Sequence, residues 1–152
     1  MARILIADDN AFIRELMRSY LEHSGHIICG EAHDGVQAVT VAKQTQPEVI
    51  LLDLTMPGMN GIETGSLLKR TMPDTPIILF TLHEDEVNTQ LAAMMGVDLV
   101  VEKTKGIKNL TESIKTVLSQ RVKTSHRQLH DTGSSSETSG NKNVEDVPPK
   151  PD

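Results

Sequence analysis

Short apolar runs alternate along the chain with stretches in which apolar residues return every three or four positions. The runs are residues 3–7 (Arg-Ile-Leu-Ile-Ala), 27–31, 49–53, 77–80 and 98–101. Runs of this length predict strands, and the four consecutive apolar residues 49–52 read as one buried on both faces. Between them, apolar positions 13, 16, 17, 20 and 21 predict a first helix, closed by Gly25. Val36, Val39, Val41 and Ala42 predict a second helix that stops before Pro47, and Ile62, Leu67 and Leu68 a third from about Gly61 to Arg70. Positions 87, 91, 94 and 95 predict a fourth, opening near the acidic Glu84-Asp85-Glu86 and ending at Gly96. Ile107, Leu110, Ile114, Val117 and Leu118 line one face of a fifth.

Strand followed by helix, repeated five times, predicts an α/β fold with helices on both faces of a parallel sheet. Right-handed crossovers narrow the topology. The expected solution is a flavodoxin-like, doubly wound (βα)5 sheet in strand order 2-1-3-4-5. After about Val122 the periodicity stops. The remainder holds Ser134-Ser135-Ser136 and Pro148-Pro149-Lys150-Pro151, with few large apolar side chains. Residues 123–152 are therefore expected to be a disordered Ser/Pro-rich tail, too short to form a second domain.

Strand ends carry the chemistry. The first strand ends at Asp8-Asp9, the third at Asp53, the fourth at Thr81 and the fifth at Glu102-Lys103. In the order 2-1-3-4-5 the first and third strands are neighbours, so the three carboxylates share the crevice at the topological switch point. Carboxylates so close repel one another unless a cation neutralises them. A hard divalent ion with oxygen ligands answers this, and Mg²⁺ fits best, because it takes one or two carboxylates and leaves room for phosphate oxygens. A hydroxyl (Thr81) and an ammonium (Lys103) on the same rim complete a phosphoryl-binding set. Asp53, central and on the strand expected to be most deeply buried, is the candidate nucleophile, since a carboxylate can form an acyl phosphate.

Charge and composition remove several other classes. The 152-residue chain has a formal net charge of −6, which argues against nucleic acid as its main partner. It has no Trp, one Tyr and two Phe, too few for base-stacking platforms. The single cysteine, Cys29, is read as a small core hydrophobe in a reducing compartment. The N-terminal apolar run is too short for a signal peptide, and no stretch reaches membrane-spanning length, so a cytoplasmic location without membrane contact is expected.

This set of residues resembles the receiver domain of two-component response regulators, the CheY-like fold. The resemblance runs from about residue 3 to residue 120. It rests on Asp8-Asp9, the Asp34-Gly35…Ala38 segment, Asp53…Met56-Pro57-Gly58-Met59-Asn60-Gly61, Thr81 and Lys103. It implies that residues 1–122 are a receiver domain and that Asp53 is the phospho-acceptor. It implies direct Mg²⁺ ligation by Asp9, Asp53 and the backbone carbonyl of Thr55, with Asp8 acting mostly through water. Lys103 matches the lysine that pairs with the phosphoryl group, and Thr81 the switch hydroxyl. The implied donor is a sensor histidine kinase or a phosphotransfer protein. The implied output is a protein partner or a homodimer, through the face of the fourth helix, fifth strand and fifth helix. The only implied reactions are Mg-dependent self-phosphorylation and autodephosphorylation of Asp53.

Three positions depart from the usual family pattern. Thr104 follows Lys103 where proline is common, Leu82 follows Thr81 where a small residue is usual, and Val100 stands where many members carry an aromatic. Leu82 could narrow access to Asp53, and Val100 removes the usual aromatic partner of the threonine. His83 lies near the site and is read as loop. Two other readings use the same crevice. A Mg-dependent phosphatase with an aspartyl-phosphate intermediate wants a second acid two residues after the nucleophile, where Thr55 stands. A flavin module wants a Ser, Thr and Gly-rich first loop, where Asp8-Asp9-Asn10 stands. A receiver-like interaction module without phosphorylation is the third alternative.

Overall fold

The computed structural model describes residues 1–82 and 89–131. Five strands, β1 (Arg3–Ala7), β2 (Ile27–Ala32), β3 (Val49–Asp53), β4 (Ile77–Thr81) and β5 (Leu99–Glu102), form one sheet in the order β2-β1-β3-β4-β5. Every neighbouring pair is parallel. The helices are α1 (Ala11–His23), α2 (Gly35–Thr45), α3 (Gly61–Thr71), α4 (Thr89–Met94) and α5 (Lys108–Asp131). The expected class, strand order and alternation are all present.

Alternation along the strands builds two cores, one on each side of the sheet. Leu5, Ala7, Ile50, Leu52, Ile77 and Leu79 pack with Ala38, Val39, Ala42, Leu68 and Ala92 of α2, α3 and α4. Ile4, Ile6, Val49, Leu51, Ile78 and Phe80 pack with Met17 and Leu21 of α1 and with Leu110, Ile114 and Val117 of α5. All five residues of β3 and of β4 are buried, which is why these strands read as unbroken apolar runs.

Local chemistry sets the helix boundaries. Asn10 caps α1 by accepting from the backbone N–H groups of Phe12 and Ile13, so α1 begins at Ala11, two residues before the first periodic position. Asp34 caps α2 in the same way through Gln37. α2 ends on Gln46 in the left-handed region, just before Pro47. Asn60 and Glu63 form a reciprocal capping box at α3.

Several sequence readings differ from the structure. Leu16, Val36 and Met94, counted among the apolar positions of their helices, are exposed, Val36 at 66% and Met94 at 84%. Periodicity alone cannot separate an inward apolar residue from one on the edge of the stripe. Cys29 is half-buried rather than in a core, because the β1–β2 register steps from Ile4↔Ile28 to Leu5↔Gly30 and skips it. α5 runs through Asp131, beyond the Val122 boundary, as a helix whose residues 121–124 are all exposed. The Glu84-Asp85-Glu86 onset of the fourth helix and most of the tail lie outside the described residues.

Gly61 ties α3 to the end of β3. A Cβ built there would sit 2.2 Å from the Asp53 carbonyl oxygen and 2.8 Å from Leu54 Cα, both backbone atoms that cannot swing away. Gly65, one turn on, would meet side-chain methyls at ordinary contact distance, Val97 Cγ2 at 3.4 Å, Leu52 Cδ2 at 3.6 Å and Ile77 Cδ1 at 4.0 Å. Gly61→Ala is therefore expected to destabilise by more than about 1 kcal/mol. Gly65→Ala is expected to be neutral or to gain roughly 0.5–1 kcal/mol, because it replaces a helix-interior glycine. Urea unfolding of the two variants against the parent measures both.

Candidate functional site

Strand register delivers the three carboxylates. Ala7 pairs with Leu52 across β1 and β3, so Asp8 emerges beside Asp53 at the carboxyl ends of these strands. Carboxylate oxygens of Asp8, Asp9 and Asp53 all lie within 4.8 Å of one another. Asp8 is 1% exposed and Asp53 6%, while Asp9 faces solvent. Asp8 Oδ1 accepts from the Asn10 N–H at 2.8 Å, so the residue that caps α1 also fixes the first acid of the pair.

Lys103 joins them from the far side of the sheet. It opens a 3-10 turn (Lys103–Lys105) immediately after β5. Its Nζ donates to Asp8 Oδ2 at 2.6 Å and lies 3.1 Å from Asp53 Oδ1. The side chain is buried and passes over the Phe80 ring, with Nζ 5.7 Å from the ring centre. One ammonium thus bridges two buried carboxylates, and the third stands at the solvent edge. Ionised together, the three acids leave two negative charges that Lys103 does not balance. An all-oxygen set with that charge fits a hard divalent cation.

Burial pushes the Asp53 carboxyl above its ordinary value of 3.8. Lys103 pulls it down, Asp8 pushes it up, and hydrogen bonds from Lys103 and the Thr55 backbone pull it down, without reversing the shift. A carboxyl raised in the folded state favours folding while protonated, below the unfolded value. That contribution is lost as pH rises through the folded value. The ionised form of Asp53 therefore opposes folding.

Thr81 ends β4 and is buried beside the site, with its Cα paired to Glu102. Phe80 pairs with Asp53, which puts Thr81 one residue beyond Asp53 on the adjacent strand. Thr55 sits on the exposed loop after Asp53. Leu82, expected to narrow access, is 55% exposed. Val100 is half-buried and packs against the α2–α3–α4 core. His83 lies outside the described residues. Sequence reasoning brought Asp8, Asp9, Asp53, Lys103 and Thr81 to this rim but missed Asn10, Phe80 and Arg14. Asn10 had a legible signal, an Asn just before a helical run. Phe80 and Arg14 act through tertiary contacts that no spacing reveals.

A family model described as the response regulator receiver domain matches residues 4–115. Protein CcdB of Bacillus subtilis is 34% identical over 109 residues, covering 69% of this chain and 91% of its own. A LuxR-family two-component response regulator from an Aurantimonas species superimposes with a TM-score of 0.75 at 30% identity, over 80% of this chain and 87% of that one. The response regulator TrrA of Thermotoga maritima, solved in complex with Mg(2+)-BeF, gives a TM-score of 0.70 at 30% identity, over 77% and 99%. The chain spans only 34% of the length of two Pyrococcus protein-glutamate methylesterase/protein-glutamine glutaminases, which it matches at 25% and 24% identity. No helix among the described residues is long and apolar enough to cross a membrane.

Two substitutions test the electrostatics without any phosphoryl donor. Asp53→Asn keeps an acceptor for Lys103 and leaves Asp8 paired, so the metal-free protein is expected to melt a few degrees higher at neutral pH. The gain shrinks as the pH falls toward the range where Asp53 is protonated. Lys103→Met strands two buried carboxylates and is expected to lose about 3–5 kcal/mol. Part of that loss returns on adding Mg²⁺ if the cation takes up the stranded charge. Thermal and urea unfolding with EDTA or Mg²⁺ read each effect.

Proposed function

The chain belongs to the response regulator receiver domain family, and from that premise we propose that it accepts a phosphoryl group on Asp53 in a Mg²⁺-dependent reaction and so switches a protein-binding surface. The observation that carries the proposal is the Lys103 ammonium held 3.1 Å from Asp53 Oδ1 inside a cluster of three carboxylates. An ammonium beside the acceptor is what a phosphoryl group needs on its flank, and the carboxylates around it would hold the cation that offsets the remaining negative charge. The donor is the phosphohistidine of a sensor histidine kinase or phosphotransfer protein. An Asp53 carboxylate oxygen attacks phosphorus, the bond to the donor imidazole nitrogen breaks, and the electron pair stays on that nitrogen.

The residues divide the work by position. Asp9, Asp53 and the Thr55 backbone carbonyl would hold Mg²⁺, with Asp8 reaching it through water. Mg²⁺ bound there supplies charge neutralisation between the carboxylates and the incoming group. Lys103 offsets the charge of Asp53 and would pair with the phosphoryl oxygens. Thr81 offers its hydroxyl from the adjacent strand end. A phosphoryl group adds a charge of about −1.5 to −2, which redistributes these partners. Output is proposed to leave through the α4–β5–α5 face, where Met94 is exposed, to a protein partner or a second copy. The net charge of −6 speaks against nucleic acid as that partner. The chemistry of the chain itself is limited to gaining and losing this group. A half-buried lone Cys29 suits the reducing cytoplasm.

Intact-mass analysis after incubation with Mg²⁺ and a small acyl phosphate tests this. One added phosphoryl group is expected, abolished by EDTA and absent from Asp53→Asn. No gain in the parent, under conditions where Mg²⁺ binds and with a phosphorylated kinase also supplied, would replace the proposal with a receiver-like interaction module.

A further inference from the structure

Asp8 and Asp9 are neighbours in sequence but are held in different ways. Asp8 is tied at every polar atom. Its N–H donates to Ala32 O at 3.0 Å, Oδ1 accepts from Asn10, Oδ2 accepts from Lys103, and its carbonyl accepts from Arg14 Nη1 at 2.8 Å. Asp9 is exposed, and among the described residues its carboxylate has no hydrogen bond or ion pair. Its position is therefore set by its own backbone, that is, by the peptide joining it to Asp8. The oxygen of that peptide is the atom Arg14 grips.

Arg14 is suited to the grip. It lies in the first turns of α1, where its own N–H donates to Asn10 O at 3.0 Å. Its side chain is largely buried, and its Nε lies 3.9 Å from Glu31 Oε2 on β2. Glu31 also binds Arg18 at 2.8 Å, and Arg18 reaches Glu22 at 3.5 Å. Two guanidinium groups and two carboxylates balance in this network. Arg14 thus presents a hydrogen-bond donor to the acidic loop while its charge is offset behind, which limits repulsion of a second cation. As an ion pair, the 3.9 Å contact is worth little. The 2.8 Å bond to the Asp8 carbonyl is the stronger interaction, and it points into the site.

We propose that Arg14 is a positioning residue for a divalent cation at the Asp8–Asp9–Asp53 cluster, fixing the Asp8–Asp9 peptide so that the untethered Asp9 carboxylate stays in reach of Asp53. This rests on the Mg²⁺-dependent reading above. Residues that orient metal ligands from outside the coordination sphere set affinity by about 10–100-fold when removed.

The test uses the full chain, with Arg14→Met (stem kept, donors removed) and Arg14→Lys (charge and one donor nitrogen kept, the planar fork lost). Calorimetric titration of Mg²⁺ into metal-free protein is expected to show about tenfold weaker binding in Arg14→Met and a smaller loss in Arg14→Lys. In the absence of metal, the Asn10 amide, bonded to Asp8 Oδ1, is expected to exchange with solvent faster in Arg14→Met than in the parent. Phosphoryl uptake should recover in both variants at saturating Mg²⁺, because the chemistry is intact and only the cation is held less well. A lower melting temperature with unchanged Mg²⁺ affinity in both variants would reduce Arg14 to a purely structural contact and overturn the proposal. So would an uptake rate that stays low at saturating Mg²⁺. A parent that takes up phosphate with normal Mg²⁺ dependence while the variants match it overturns this inference alone. A parent that binds no Mg²⁺ overturns it together with the reading on which it rests.

Discussion

Two buried carboxylates side by side, bridged by one ammonium, constrain the rest of this molecule. Asp8 and Asp53 stand at the ends of adjacent strands with their side chains almost wholly out of water. Each would be expensive to hold there ionised and unpaired. Lys103 answers both at 2.6 and 3.1 Å. It can do so only because β5 ends two strands away from β3 and the chain then turns tightly, so that a four-carbon stem spans the Phe80 ring to reach them. Strand order, strand length and the 3-10 turn are all needed to make this one contact. The site is thus the place where the fold's geometry and its least favourable electrostatics meet.

The segment after Asp53 has the opposite problem: it must leave the sheet at once without disturbing the carboxylate. Gly61 solves this by closing against the chain it has just left. Its N–H donates to Leu54 O at 2.8 Å, and the space where a Cβ would stand is filled by the Asp53 carbonyl. The Asn60–Glu63 capping box then starts α3 in register with that contact. A helix start and a functional strand end are fastened to each other through backbone, so the Asp53 loop is held by the same hydrogen bonds that stabilise α3. Thr64 adds to this by donating from its hydroxyl to Asn60 O at 2.8 Å, from a fully buried position.

The parts of this arrangement that follow from local pattern were legible in the sequence. Unbroken apolar runs identify β3 and β4 because both faces of those strands are covered. Polar residues at the ends of such runs identify the crevice because strand order brings the ends together. What depends on side-chain direction was not legible. Leu16, Val36 and Met94 share the spacing of their buried neighbours yet face solvent. Cys29 looked like core until the one-residue register step on edge strand β2 lifted it out of the packing. The onward run of α5 to Asp131 could not be read from apolar periodicity, because residues 119–124 bury nothing. Arg14 is the most instructive case. In sequence it is one more cation on a helix, and only the fold shows that its guanidinium turns back to the Asp8 carbonyl.

The same bonds bear on how a switch could work here. Asp8 has no spare freedom: backbone, Asn10, Arg14 and Lys103 hold its four polar atoms. Lys103 is therefore the movable member, shared between a carboxylate that is fixed and one proposed to change its charge. A phosphoryl group on Asp53 would compete with Asp8 for the ammonium, and a shift of Nζ would be taken up first by the flexible lysine stem and then by the turn after β5. That path leads to the β5 side of the sheet, where Val100 is half-buried against the α2–α3–α4 core in place of a bulky ring. A small β-branched side chain has few rotamers and little reach. Under the phosphorylation proposed above, the response is therefore expected in the Lys103 side chain and the Glu102–Gly106 turn rather than in a swinging aromatic at Val100.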